Sequence, residues 1–113
     1  MDGEITQATL RELQDADDVR IVDVRQRDAY ATGHLPDSEC IPFPDLPNEI
    51  TRLEGADHVV TVCPHGDASL KAARLIAAYD GLAPDATVQS LAGGLAAWEG
   101  PLVSSDDEAE HPL

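Results

Sequence analysis

An apolar, β-branched run breaks at a cysteine and turns within a few residues into a helical pattern, and this junction sets the first limit on the fold. The segment reads Val59-Val60-Thr61-Val62-Cys63-Pro64-His65-Gly66-Asp67-Ala68-Ser69, and Leu70 to Tyr79 continues at helical spacing. Pro64 and Gly66 are loop punctuators, so Cys63 opens a loop instead of lying inside a continuing strand. A strand that feeds directly into a helix is the building unit of α/β folds. It also aims the unpaired N–H groups of the helix's first turn at the sulfur. Partial positive charge there favours the thiolate, so Cys63 is the expected nucleophile. The plainer alternative is a buried free cysteine that closes a core strand.

The rest of the chain repeats the alternation. Strands are expected at Glu4–Thr6, Val19–Val24, Glu39–Pro42, Val59–Val62 and Thr87–Leu91, each a short apolar run with turn residues at its ends. Helical pattern is expected at Thr9–Leu13, Asp28–Ala31, Pro47–Leu53 and Ala68–Tyr79, with a last helix starting at Gly94–Trp98. Asp67 is placed as the N-cap of the longest helix, and Gly81 lies just past its end. An acidic turn runs from Asp15 to Asp18. Strands alternating with helices imply an α/β fold with a mostly parallel, five-stranded sheet and helices on both faces. Sites in such sheets gather beyond the strand C-termini. Three segments qualify: Asp23-Val24-Arg25, Cys63 to Ala68, and Gly93-Gly94.

The length of 113 residues suits one domain with a modest core. Residues 1–103 are read as that domain, and 104–113 as an acidic, aperiodic and disordered tail. No apolar run is long enough to span a membrane, and Met1-Asp2-Gly3-Glu4 lacks the basic and apolar regions of a signal peptide. A cytoplasmic monomer is the expectation. Cys40 and Cys63 are the only cysteines, with no Cys-x-x-Cys and no zinc-type spacing. Neither a metal, a cofactor nor a structural disulfide is expected.

Twenty-two Asp and Glu oppose seven Lys and Arg, for a net charge of -15, and Lys71 is the sole lysine. That balance excludes nucleic acid and anionic membrane surfaces as partners. The charge is spread over every segment, as in proteins of salt-loving archaea. In molar salt the screening length falls to about 3 Å, which relieves the self-repulsion of such a chain.

Three motifs together make the chain resemble a single-domain rhodanese. The first is Ile21-Val22-Asp23-Val24-Arg25, followed by Asp28, Tyr30 and Gly33-His34-Leu35-Pro36. The second is Cys63 with its loop, including Gly66 and Ser69. The third is Leu91 to Trp98, with Gly93-Gly94 and Ala97-Trp98. The resemblance implies a sulfurtransferase that needs no cofactor. Cys63 would take sulfur from thiosulfate or another small sulfane-sulfur donor, or from a protein persulfide. As a persulfide it would pass the sulfur to a thiol acceptor. Pro64, His65, Gly66, Asp67, Ala68 and Ser69 would form the substrate-binding loop around it. Asp23 and Arg25 would support the pocket, or else form a structural pair that fixes loops.

The loop departs from the family at one position in particular. Ala68 stands where an arginine usually grips the anionic donor. Pro64 removes one backbone donor, and Asp67 brings a negative charge close to the sulfur. Weak activity on thiosulfate is therefore expected. The alternative is a sulfur-carrier or interaction module with little activity on small anions. Phosphatase chemistry on this fold would need an arginine six residues after the cysteine, where this chain has Ser69. Cys40 is placed at the start of the third strand, away from the catalytic end.

Overall fold

The structure is a computed structural model, and it describes residues 3–13, 18–100 and 102–104. The proposed acidic tail beyond Ser104 and residues 15–17 of the acidic turn lie outside the described residues. Five strands form one sheet in the order β1-β5-β4-β2-β3, and every pair is parallel. They are β1 Glu4–Ile5, β2 Val19–Asp23, β3 Glu39–Cys40, β4 His58–Val62 and β5 Thr87–Leu91. Between them run α1 Gln7–Leu13, α2 Arg27–Thr32, α3 Leu46–Glu49 and α4 Asp67–Ala77.

β4 is central, and its composition explains why. A strand covered on both faces cannot alternate polar with apolar residues, and Val59, Val60, Thr61 and Val62 are all buried. It pairs with β2 from Val19↔His58 to Asp23↔Val62, and with β5 from His58↔Thr87 to Thr61↔Ser90. One apolar cluster joins Val22, Val59, Val88 and Cys63 to Ala72, Ala73 and Ile76 of α4 and to Leu46 and Leu53. On the other face, Ile5, Ile21, Val60, Val62 and Leu91 pack with Leu10 of α1, and Trp98 covers their edge. α4 buries Ser69, Ala72, Ala73 and Ile76, a stripe at i, i+3, i+4 and i+7 that lets small side chains bring the helix close to the sheet.

Several local expectations are corrected. The segment read as a helix over Pro47–Leu53 is the single α-turn of α3 followed by a 3-10 turn at Ile50–Leu53, and another 3-10 turn, Phe43–Asp45, precedes it. Pro44 and Pro47 break the regular ladder there. The last helix is only a 3-10 turn, Leu95–Ala97. Its N–H groups turn away: Leu95 donates to the carbonyl of Cys63 at 2.8 Å and Ala96 to that of Pro64 at 2.9 Å. β3 stops at Cys40, before Pro42.

Candidate functional site

Cys63 follows the last residue of β4, and its sulfur lies under the start of α4. The N–H of Gly66 donates to Sγ at 3.0 Å and the N–H of Ser69 at 3.2 Å. Gly66 holds a φ of 95°, left-handed backbone that folds the loop back on the sulfur. This corrects the role given to Asp67. Gly66 is the N-cap residue, Asp67 is the first helical residue, and no side chain caps the helix. The N–H that a capping oxygen would satisfy is the third of the helix, that of Ser69. Here the sulfur takes it.

The loop is held from below and from above. Thr61 Oγ1 donates to the carbonyl of Ser69 at 2.6 Å, tying the first turn of α4 to β4. Gly94 passes over the loop with a φ of 66°. A Cβ there would collide with the carbonyl oxygens of Cys63 and Pro64. Backbone therefore packs directly on backbone at Gly94, an approach that a side chain would block.

Ser69 does more than line the loop. Its hydroxyl lies 3.3 Å from Cys63 Sγ, 3.3 Å from the carbonyl of Gly66 and 2.7 Å from Ser90 Oγ on β5. Both serines are fully buried. Ser90 was missed by sequence reasoning. Its signal was a polar residue two positions after Val88, at a strand position whose neighbours pack into the core.

Pro64, His65 and Asp67 are exposed, and Ala68 is half-buried against the core. Among the described residues, no acceptor is found for the backbone N–H groups of His65, Asp67 or Ala68, so these remain available to an anion. Asp23 and Arg25 sit at the same end of the sheet but bind each other. Arg25 Nη2 reaches Asp23 Oδ2 at 2.8 Å, Nε reaches both carboxylate oxygens, and Nη2 also reaches the carbonyl of Gly33 at 2.6 Å. No hydrogen bond joins either residue to residues 63–69. This is the loop-fixing pair, and its charge is closed on itself. Arg27 points outward to Asp45 at 3.5 Å. His34 is buried, with Nδ1 2.7 Å from the carbonyl of Tyr30 and its ring stacked on that tyrosine.

The register corrects the placement of Cys40. It pairs with Asp23, the last residue of β2, so it lies at the same end of the sheet as Cys63. Both cysteines are nonetheless free. β2 stands between their strands, which puts them about 9–10 Å apart, beyond the reach of a disulfide. Among the described residues, no three His, Cys, Asp or Glu side chains gather as a metal site, and no helix is long and apolar enough to cross a membrane.

A parallel sheet that delivers a cysteine from a strand end into the N-terminus of the next helix defines a thiol-centred α/β protein. Within that class the chain belongs to the rhodanese-like family, whose domain model matches residues 6–101. It is 34% identical over 95 residues to the thiosulfate sulfurtransferase GlpE of Pseudoalteromonas translucida, covering 84% of this chain and 87% of that protein. A rhodanese-like domain protein of Staphylococcus aureus superposes with a TM-score of 0.75 at 26% identity, over 92% of this chain and 98% of that one. A rhodanese-related protein of Thermoplasma volcanium has the same fold, with a TM-score of 0.76 at 24% identity, over 88% of this chain and 96% of that one.

Proposed function

We propose that the chain is a sulfurtransferase that carries sulfur on Cys63. The observation that carries this reading is a buried sulfur at a strand end, accepting two N–H groups from the loop and the helix that follow. The Cys63 thiolate attacks the outer sulfur of the donor. A new S–S bond forms as the donor's own S–S bond breaks, and with thiosulfate the leaving group is sulfite. An acceptor thiolate then attacks the outer sulfur of the Cys63 persulfide and takes it, returning Cys63 as thiolate. No redox partner is required. The free N–H groups of the loop suit an anionic persulfide and a departing anion.

One observation favours a thiol or protein persulfide as the donor over thiosulfate. Ala68 supplies no cation, and Arg25 and Arg27 are paired with Asp23 and Asp45. Incubation with a sulfane donor is expected to add one sulfur atom to the protein by mass spectrometry, removable by reductant. Cys63→Ser should abolish the adduct and Cys40→Ser should keep it; an adduct mapped to Cys40 overturns the reading. Turnover of thiosulfate compared with that of a thiol persulfide ranks the two donors.

The net charge of -15 further suits a protein working in concentrated salt. Thermal melts should rise with KCl into the molar range, and a flat midpoint contradicts that setting.

A further inference from the structure

We propose that Ser69 and Ser90 form a buried hydroxyl relay that supplies Cys63 with a side-chain hydrogen bond whenever its sulfur is anionic. Ser69 is the donor, and Ser90 is the positioning residue that sets the donor's direction. The inference rests on the reading of Cys63 as a sulfur carrier.

The argument is a count of protons and lone pairs. Among the described residues, the Ser90 hydroxyl has one hydrogen-bond partner, Ser69 Oγ at 2.7 Å. A fully buried hydroxyl does not leave its proton unused, so Ser90 donates to Ser69. Ser69 must then give its own proton elsewhere. Two groups lie at the same distance, 3.3 Å: the carbonyl of Gly66, which accepts from Ser69, and Cys63 Sγ, which donates to Ser69 as a thiol and can only accept once it is a thiolate.

With Cys63 as a thiol, its S–H donates to Ser69 Oγ, Ser90 fills the other lone pair, and Ser69 donates to Gly66. Every group is satisfied. Once the thiol proton has left for solvent, the Ser69 hydroxyl rotates onto the thiolate. Gly66 is not stranded, because its carbonyl also accepts the N–H of Leu70 at 3.2 Å. In the persulfide, charge moves to the outer sulfur, Sγ becomes a poor acceptor, and the hydroxyl returns to Gly66. Discharge to the acceptor thiol restores the thiolate and draws the hydroxyl back. No proton is transferred by either serine; one hydroxyl turns between two acceptors, and Ser90 keeps it a donor in both positions. The relay thus favours the departure of Cys63 from its persulfide.

The ultraviolet absorbance of the Cys63 thiolate against pH, in a Cys40→Ser background, tests this without any sulfur donor. Its failure is therefore distinct from failure of the sulfurtransferase reading. The ionisable groups around the sulfur are unchanged in all variants: His65 and Asp67 of the loop, Lys71 on α4, and the closed Asp23–Arg25 pair. Ser69→Ala should shift the titration upward, lowering the thiolate fraction below the midpoint by about tenfold. Ser90→Ala should lower it by about threefold and add nothing in the Ser69→Ala background. Ser90→Thr, which keeps the hydroxyl, should retain the parent titration. An unmoved titration in Ser90→Ala overturns the proposal. So does a shift of equal size with and without Ser69, or a Ser90→Thr titration displaced as far as that of Ser90→Ala.

Discussion

The chain holds two cysteines at the same end of one sheet and surrounds them in opposite ways. Cys63 accepts two backbone N–H groups and adjoins a hydroxyl that can turn toward it. Cys40, half-buried on the edge strand β3, faces an acceptor instead: its Sγ donates to the carbonyl of Arg25 at 3.7 Å. Burial pushes the Cys40 thiol up, the Asp23 carboxylate pushes it further, and Arg27, Arg25 and Arg52 only partly oppose them. One sulfur is surrounded by groups that welcome negative charge, and the other by groups that resist it. Sharing one end of the sheet therefore does not give two thiols the same surroundings. The direction of the neighbouring dipoles sets them apart.

The largest expected change comes from adding the charge that the Cys63 loop lacks. Ala68→Arg would place a guanidinium beside the free N–H groups of the loop. A charge-assisted contact of that kind contributes about 1.5–3 kcal/mol. The variant should raise kcat/KM for thiosulfate about tenfold or more. Steady-state kinetics with thiosulfate would read it. Unchanged turnover in a folded variant would show that backbone dipoles, not a missing cation, limit this loop.

A smaller effect sharpens the other side. Alkylation of Cys40 in Cys63→Ser should be slow at neutral pH and accelerate only above the ordinary thiol range. The same shift has a stability consequence. The folded state holds the Cys40 proton more tightly than the unfolded chain does. Its contribution is present below the unfolded thiol pKa and lost as pH rises through the folded one. Melts of the Cys63→Ser protein and of a Cys40→Ser variant on that background should converge toward alkaline pH. Rapid modification of Cys40 at neutral pH would erase the contrast.

The five strands and Cys63 were legible because short β-branched runs bounded by Gly, Pro and Asp have few alternatives. What was not legible depended on partners distant in sequence or unusual in kind. Asp67 looked like a helix cap because it is a good capping residue, yet the third N–H of α4 is held by a sulfur from the preceding strand end. Cys40 was misplaced because β3 is two residues long, and its register against Val22 and Asp23 brings it to the top of the sheet at once. Ser90 could not be linked to Cys63 before β5 was known to lie beside β4. The Asp23–Arg25 pair was found, but only the third partner, the carbonyl of Gly33, decides that it fixes loops.

The roof over the loop dates the completion of the surroundings of Cys63. The N–H groups that reach Cys63 Sγ come from Gly66 and Ser69, close by in the chain. The second hydroxyl comes from Ser90, and the cover comes from Gly94, Leu95 and Ala96. On a ribosome Cys63 emerges well before the residues that finish its surroundings. A chain halted after α4 would carry the thiol and its loop but neither the Ser90 hydroxyl nor the cover. Only when β5 has paired with β4 and the next turn has closed does the site exist, so its assembly is timed by the last strand to be made.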